Sequence, residues 1–294
     1  MIAGAVLLVL IGGWWMTSSK TGNIRESILA DYQELERIGR KTEEGEEYFQ
    51  QNHAKRRSDW IIAAKRGIPE GQYLYGYCFR YGTGEKQSDV EAFKWFRKAA
   101  EQGNVAAQHE LGLCYTNGKG VAKDNAEAVK WWRKAAEQGD AGSQFLLSTY
   151  YMTGIGVAED KAEAAKWLRR AAERDVKTQY LLGLYSSMGM FGAKDDVEAF
   201  KWFRKAAEQG HAAAQDFLGM CYLNGEGVRK DVAEAFKWFR KAAAQGYADS
   251  QFRLGMCYLE GVGVRENIDE GIKWLLKAEK QGHEGAKEFL NKHR

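Results

Sequence analysis

Between residues 70 and 282 apolar side chains recur at three- and four-residue intervals, interrupted at regular distances by short glycine-bearing turns. Gln108, Leu111, Gly112 and Tyr115 lie at i, i+3, i+4 and i+7, which puts them on one face of a helix, here called A. Glycine in that stripe permits close helix approach. The turn Asn117-Gly118-Lys119-Gly120-Val121 follows, and a second helix, B, opens with Asp124 and Glu127 before an Ala128, Trp131 and Ala135 stripe. This Asp-x-x-Glu spacing is a capping box, in which the first side chain accepts from the amide three residues on and the glutamate reaches back to the amide of the cap. Ser88/Glu91, Asp160/Glu163, Asp195/Glu198, Asp231/Glu234 and Asn267/Glu270 repeat it, each cap contributing about 1 kcal/mol. Gly103, Gly139, Gly210, Gly246 and Gly282 then stop the B helices, being suited to a left-handed C-cap.

The helix pairs are copies of one another. Trp95, Trp131, Trp167, Trp202, Trp238 and Trp274 are separated by 36, 36, 35, 36 and 36 residues, and Gln72, Gln108, Gln144, Gln179, Gln215 and Gln251 keep the same intervals. EAFKWFRKAA stands unchanged at 91, 198 and 234. Two amphipathic helices cannot bury their faces alone, so such pairs must stack, with each tryptophan expected in the core between its own helix A and the adjacent repeat.

The LGxCYxNGxGV and EAxKWxRKAAEQG blocks resemble the Sel-one-like repeat family, a branch of the tetratricopeptide-like helical solenoids. The resemblance covers residues 70 to 282 as six repeats. It implies an all-α, right-handed α-solenoid of antiparallel helix pairs that serves as a protein-interaction scaffold, often in signalling or quality-control complexes. Some secreted bacterial members carry two cysteines per repeat and have been linked to β-lactam binding or hydrolysis; this chain has at most one per repeat.

Three departures change the local expectation. Repeat four has Ser186 at the tyrosine position and Gly189-Met190-Phe191-Gly192 in place of the GxGV turn, so its A-to-B loop should differ. Repeat three ends in Arg174-Asp175, one residue short and without a C-cap glycine, which predicts a slight bend before repeat four. Upstream, Trp60 to Gly67 reads as a worn helix B, with Ile38-Gly39 and Gly45 as its helix A. At the other end, residues 283–294 begin a seventh helix A whose Lys287, Glu288 and Lys292 suit a solvent-facing cap. In the charged linker 20–69, Ile24, Ile28, Tyr32, Leu35 and Ile38 form a stripe that fits either a short coiled coil or packing on the first repeat.

Residues 1–19 carry no charge, and 2–16 are apolar throughout. As a helix they would reach roughly 28 Å, close to a bilayer's hydrocarbon thickness. Trp14 and Trp15 fall where indoles favour the headgroup region, and Lys20 and Arg25 follow. The segment reads as a single-pass membrane anchor, beside the alternatives of a cleaved signal peptide or a misassigned start. Two nearby cations do not settle which side the repeats face.

Composition narrows the function. The 43 Lys plus Arg nearly cancel the 40 Asp plus Glu, and a mean hydropathy of −0.54 excludes a polytopic membrane protein and argues against a nucleic-acid partner. One proline beside 33 glycines fits helices punctuated by glycine. Cys78, Cys114, Cys221 and Cys257 share one helix A position; equivalent sites in stacked repeats lie ~10 Å apart, beyond the ~7 Å a disulfide spans, so free thiols are expected. The five histidines show no metal-ligand spacing, every GxG is an inter-helix turn, and no cofactor motif is present. The lysine before each tryptophan, with glutamates between, reads as a solvated convex face.

Two functions follow from this reading. The first is a membrane-tethered, non-enzymatic adaptor that binds a protein or peptide in the groove lined by helix A. The second is an enzyme or small-molecule binder on the same scaffold. For the first, positions +1, +5 and +8 from the register glutamine should face the groove: Tyr73, Tyr77, Phe145, Tyr180, Leu184, Met220, Leu223, Phe252, Met256 and Leu259, with Tyr81 at +9. These are apolar, as an anchor for a partner would be, with Arg80 and Glu260 at opposite ends to set its direction; sideways packing between adjacent A helices is the alternative for Met220 and Met256.

Overall fold

The computed structural model describes residues 26–34 and 56–293, all of whose regular structure is helical. Helix α1 covers 26–34 and α2 covers 56–65. In chain order, A then B of each repeat, the helices are α3 (Pro69–Tyr81) and α4 (Asp89–Glu101), α5 (Val105–Asn117) and α6 (Asn125–Glu137), α7 (Ala141–Thr153) and α8 (Lys161–Ala172), α9 (Val176–Met188) and α10 (Asp196–Glu208), α11 (Ala212–Asn224) and α12 (Val232–Ala244), and α13 (Ala248–Glu260) and α14 (Ile268–Lys280). Helix α15 (Glu284–His293) closes the described chain. Two compact units result, one running to Tyr150 with Gly154–Ala158, the other comprising Tyr151–Thr153 and the chain from Glu159 on. No described helix is long and apolar enough to cross a membrane, and the proposed anchor at 1–19 lies outside the described residues.

All six B helices carry the expected N-cap. Ser88, Asp124, Asp160, Asp195, Asp231 and Asn267 each accept from the amide three residues on. The reciprocal half of the box is not formed: the cap amides instead donate to A-helix carbonyls, as from Asp124 N to Tyr115 O at 3.0 Å. That releases the glutamates, five of which pair with lysines three residues on, as in Glu127–Lys130 and Glu234–Lys237, while Glu198 pairs with Arg169 of the preceding B helix at 2.7 Å. Gly103, Gly139, Gly210, Gly246 and Gly282 end the B helices at φ between 81° and 94°.

The register glutamines hold the stack together. Gln108 donates to Ala100 O at the end of the preceding B helix and accepts from Gln138 at the end of its own. Gln215 does the same between Ala207 O and Gln245. Gln108 and Gln215 thus each join three helices, bonded through both oxygen and nitrogen, and pairing the start of A with the end of B shows the two run antiparallel.

The tryptophans are not where the periodicity predicts. Phe96, Trp132, Leu168, Phe203, Phe239 and Leu275, each one residue later, fill the core, whereas Trp95, Trp131, Trp202, Trp238 and Trp274 lie half-buried at its margin; only Trp167 is buried. The cause is the helix A glycine: a Cβ on Gly112 would stand 2.2 Å from the Trp132 indole nitrogen, so the missing side chain makes room for the later residue. Each tryptophan instead carries a cation over its ring, three residues on.

At the N-terminal side, α2 supplies a helix B in which Trp60 is fully buried and donates to Asp31 Oδ2 of α1 at 2.9 Å. Ile28 and Tyr32 pack on the first repeat, so this stretch of the linker stripe is a packed face; Ile24, Leu35, Ile38, Gly39 and Gly45 lie outside the described residues. Helix α8 is one residue shorter than its counterparts and ends without glycine. In repeat four the second turn glycine, Gly192, has φ 141° and no neighbour within 4 Å of a Cβ, so that loop does differ.

The cap of α11 is a titratable residue. His211 Nδ1 accepts from Ala214 N at 3.2 Å to start α11. Burial, then the Lys177 charge, lowers its pKa, with Asp175 opposing. Because the folded state favours the neutral ring, its contribution is complete above the ordinary histidine pKa of about 6.5 and is lost as pH falls through the lowered value. The urea midpoint should therefore drop between pH 7.5 and 5, and His211→Asn, a cap that does not titrate, should flatten part of that drop. An identical pH dependence in the variant would remove His211 as the source.

Candidate functional site

The A-helix residues expected to line a groove divide by burial. Tyr73 and Tyr77 are 0% and 4% exposed, so the expectation that they face solvent is corrected. Tyr32 of α1 meets Tyr73 edge-on at 5.6 Å, and Phe96 closes the cluster. Tyr81 and Phe145 are exposed, at 40% and 36%. In the second unit Tyr180, Leu184, Met220, Leu223, Phe252, Met256 and Leu259 are half-buried. The physical reason is neighbouring repeats: Tyr180 stacks on His211 and touches Phe217, and Phe252 stacks on His283, so +1 side chains lean on the next helix A. Arg80 cannot orient a ligand as expected, since it is buried against Glu110 at 2.7 Å and donates to Cys114 Sγ at 2.8 Å.

Met220 contributes to a cavity of about 290 Å³ on the A face of the second unit. Phe203, Phe217 and Met220 are its large apolar lining residues, with the Asp216–Arg253 and Lys194–Asp196 pairs and Glu226 also lining it. Asp216 is 1% exposed, accepts from Ser250 Oγ at 2.5 Å and pairs with Arg253 at 2.8 Å. Burial raises its pKa even so, with Arg253 opposing. Cys221, also lining the cavity, has its thiol pushed up to about 12 by burial, which disfavours the thiolate at neutral pH. The cavity can seat an apolar side chain beside a paired charge.

A second polar cluster lies at the start of α7. His109 Nδ1 lies 2.9 Å from Ser143 Oγ and 3.0 Å from Asp140 Oδ2. Both partners share one ring nitrogen, so the ring cannot relay a proton from serine to aspartate. Asp140 accepts from Ser143 N as the cap of α7, and despite burial the His109 hydrogen bond and charge hold its pKa well below the usual range. The four cysteines are buried free thiols. Among the described residues no group of His, Cys, Asp or Glu could hold a metal ion.

The model of the Sel1 repeat matches six consecutive segments, 69–104, 105–140, 141–176, 176–211, 212–247 and 248–283. The chain belongs to the Sel1 repeat family. Among solved structures it is similar to c5321, a protective antigen present in uropathogenic Escherichia coli strains and displaying an SLR fold, with TM-score 0.72 and 30% identity over 88% of this chain. It spans 58% of that protein's length. A Sel1 repeat protein from Oxalobacter formigenes aligns with TM-score 0.59 and 34% identity, over 74% of this chain and 89% of the other. No curated protein matches. Sel1 repeats generally mediate protein–protein interaction on a scaffold that is generally non-enzymatic.

Within the Sel1 register, two features escape a reading of single helices. Arg253 reaches Asp216 across 37 residues and Arg80 reaches Glu110 across 30, both between successive A helices. A 36-residue period makes residues about one period apart spatial neighbours, and that spacing is the signal that could have found the first pair.

Proposed function

We propose that the chain is a membrane-tethered adaptor whose Sel1 repeats bind a segment of a partner protein on the A-helix face, with the Phe203, Phe217 and Met220 cavity taking an apolar side chain of that segment. The cavity carries this reading, because the half-exposed Phe217 and Met220 beside Arg253 gain little unless a partner covers them. The family's general use supports it, and the uncharged segment 1–19 supports the tether. The segment is held by apolar contact and by the guanidinium, not by covalent chemistry.

A photo-crosslinking residue at Phe217 of the full chain, in native membranes, should form a discrete protein adduct. The same residue at Arg97, on helix B, should not give that adduct, and Met220→Glu should remove it while leaving the circular-dichroism melt nearly unchanged. An adduct that survives Met220→Glu, or appears equally from Arg97, would place the partner elsewhere.

A further inference from the structure

The charges around the A-face cavity do not cancel. Lys194 and Arg253 line it together with Asp196, Asp216 and Glu226, so carboxylates outnumber cations there in a chain whose formal net charge is +3. Each cation already has its acid: Arg253 holds Asp216 at 2.8 Å, and Lys194 holds Asp196 at 2.9 Å. Glu226 is left over. Among the described residues no cation lies at ion-pair distance from it, and its side-chain hydrogen bond is a long one, accepted from Asn224 Nδ2 at 3.4 Å. Arg229 and Lys230 follow in the same turn, exposed and outside the cavity lining.

The negative charge reaches inward. Burial, then Glu226, raises the pKa of the Cys221 thiol in the cavity lining. Burial also raises that of Asp216 against Arg253 and Ser250, and Asp249 adds to it. The fold itself does not require an acid at Glu226. It stands between the two glycines of its turn, where other repeats carry Thr83, Lys119, Ile155 and Val262 with the flanking glycines at φ between 68° and 79° throughout.

We propose, on the footing of the A-face reading, that the partner segment seated here carries a lysine or arginine beside the apolar side chain that enters the cavity, the cation pairing with Glu226. A partner carboxylate would have to share Arg253 with Asp216 and would face Glu226, a like charge. Lysine and arginine also suit a site that is half apolar, because their stems lie along apolar surface while the charge stays in water. Glu226 is solvent-exposed, so the pair sets the choice of partner more than the affinity.

For the test, the full chain in neutral detergent, with the photo-crosslinking residue at Phe217, meets two labelled peptides that differ only in whether lysines or glutamates flank a central leucine. The lysine peptide should give about tenfold more adduct at low salt, the ratio falling as salt is raised. Glu226→Gln should reduce the ratio, and Glu226→Lys should bring it to one or below. Lys119 occupies the same turn position in repeat two, so the charge reversal should leave the circular-dichroism melt unchanged. Exchanging the leucine for glycine should abolish both adducts. Leucine-dependent capture without a preference for lysine, or a preference that survives Glu226→Lys, overturns the proposal and leaves the A-face reading standing. So does a preference for the glutamate peptide, which would assign an acidic partner. Capture of neither peptide, or capture indifferent to the leucine, sinks the A-face reading and the proposal with it.

Discussion

Phe203→Ala should cost about 3 to 5 kcal/mol, while Trp202→Ala, beside it, should cost about 1 to 2. Phe203 is buried with its ring against Gly183 of α9, where a Cβ would come within 2.6 Å, and it stacks on Phe217 of the next repeat at 5.2 Å. Truncation leaves a cavity between three helices that cannot collapse without moving α9 against α10. Trp202 has solvent on one side, so its loss removes partial burial, the Lys205 contact and a 3.4 Å bond to Glu198. Urea denaturation of the two variants decides the matter. Equal losses would return the tryptophan to the core.

That contrast shows what the sequence could and could not reveal. Helix pairs, caps and period are local or self-repeating signals, and all six predicted caps form. The core register is harder, because Trp202 and Phe203 are adjacent, both apolar and about 100° apart on one helix. What separates them is the partner glycine, Gly183, twenty residues earlier in another helix. The groove failed similarly: +1 and +5 point away from the repeat's own core stripe, yet a stacked array places another helix A there, and at Tyr73 it places α1. Once pairs related by one period are treated as neighbours, Asp216 with Arg253 becomes legible.

Gly227→Ala should destabilise the second unit by more than about 3 kcal/mol, well beyond the strain of a left-handed residue, which is roughly 1 to 2 kcal/mol. Gly227 is the second glycine of its GxG turn, at φ 68°, and a Cβ would lie 1.9 Å from the carbonyl oxygen of Asp196 and 3.0 Å from Phe200 Cβ. Those atoms belong to the first turns of the preceding helix B, and the same joint seats Tyr222 edge-on against Phe200 at 5.4 Å. Backbone cannot rotate aside as a side chain can, so the added methyl must separate repeat five from repeat four and with it the buried glutamine at Gln215. Gly246→Ala is the matched control: its φ of 90° imposes strain, but nothing lies within 4 Å of the new Cβ. In urea titrations the difference between the two variants measures the contact alone. Hydrogen exchange should localise it, with amides of α11 losing protection in Gly227→Ala and keeping it in Gly246→Ala. Equal costs for the two substitutions would mean that the turn does not press on the preceding helix, and that glycine recurs there for its conformation only.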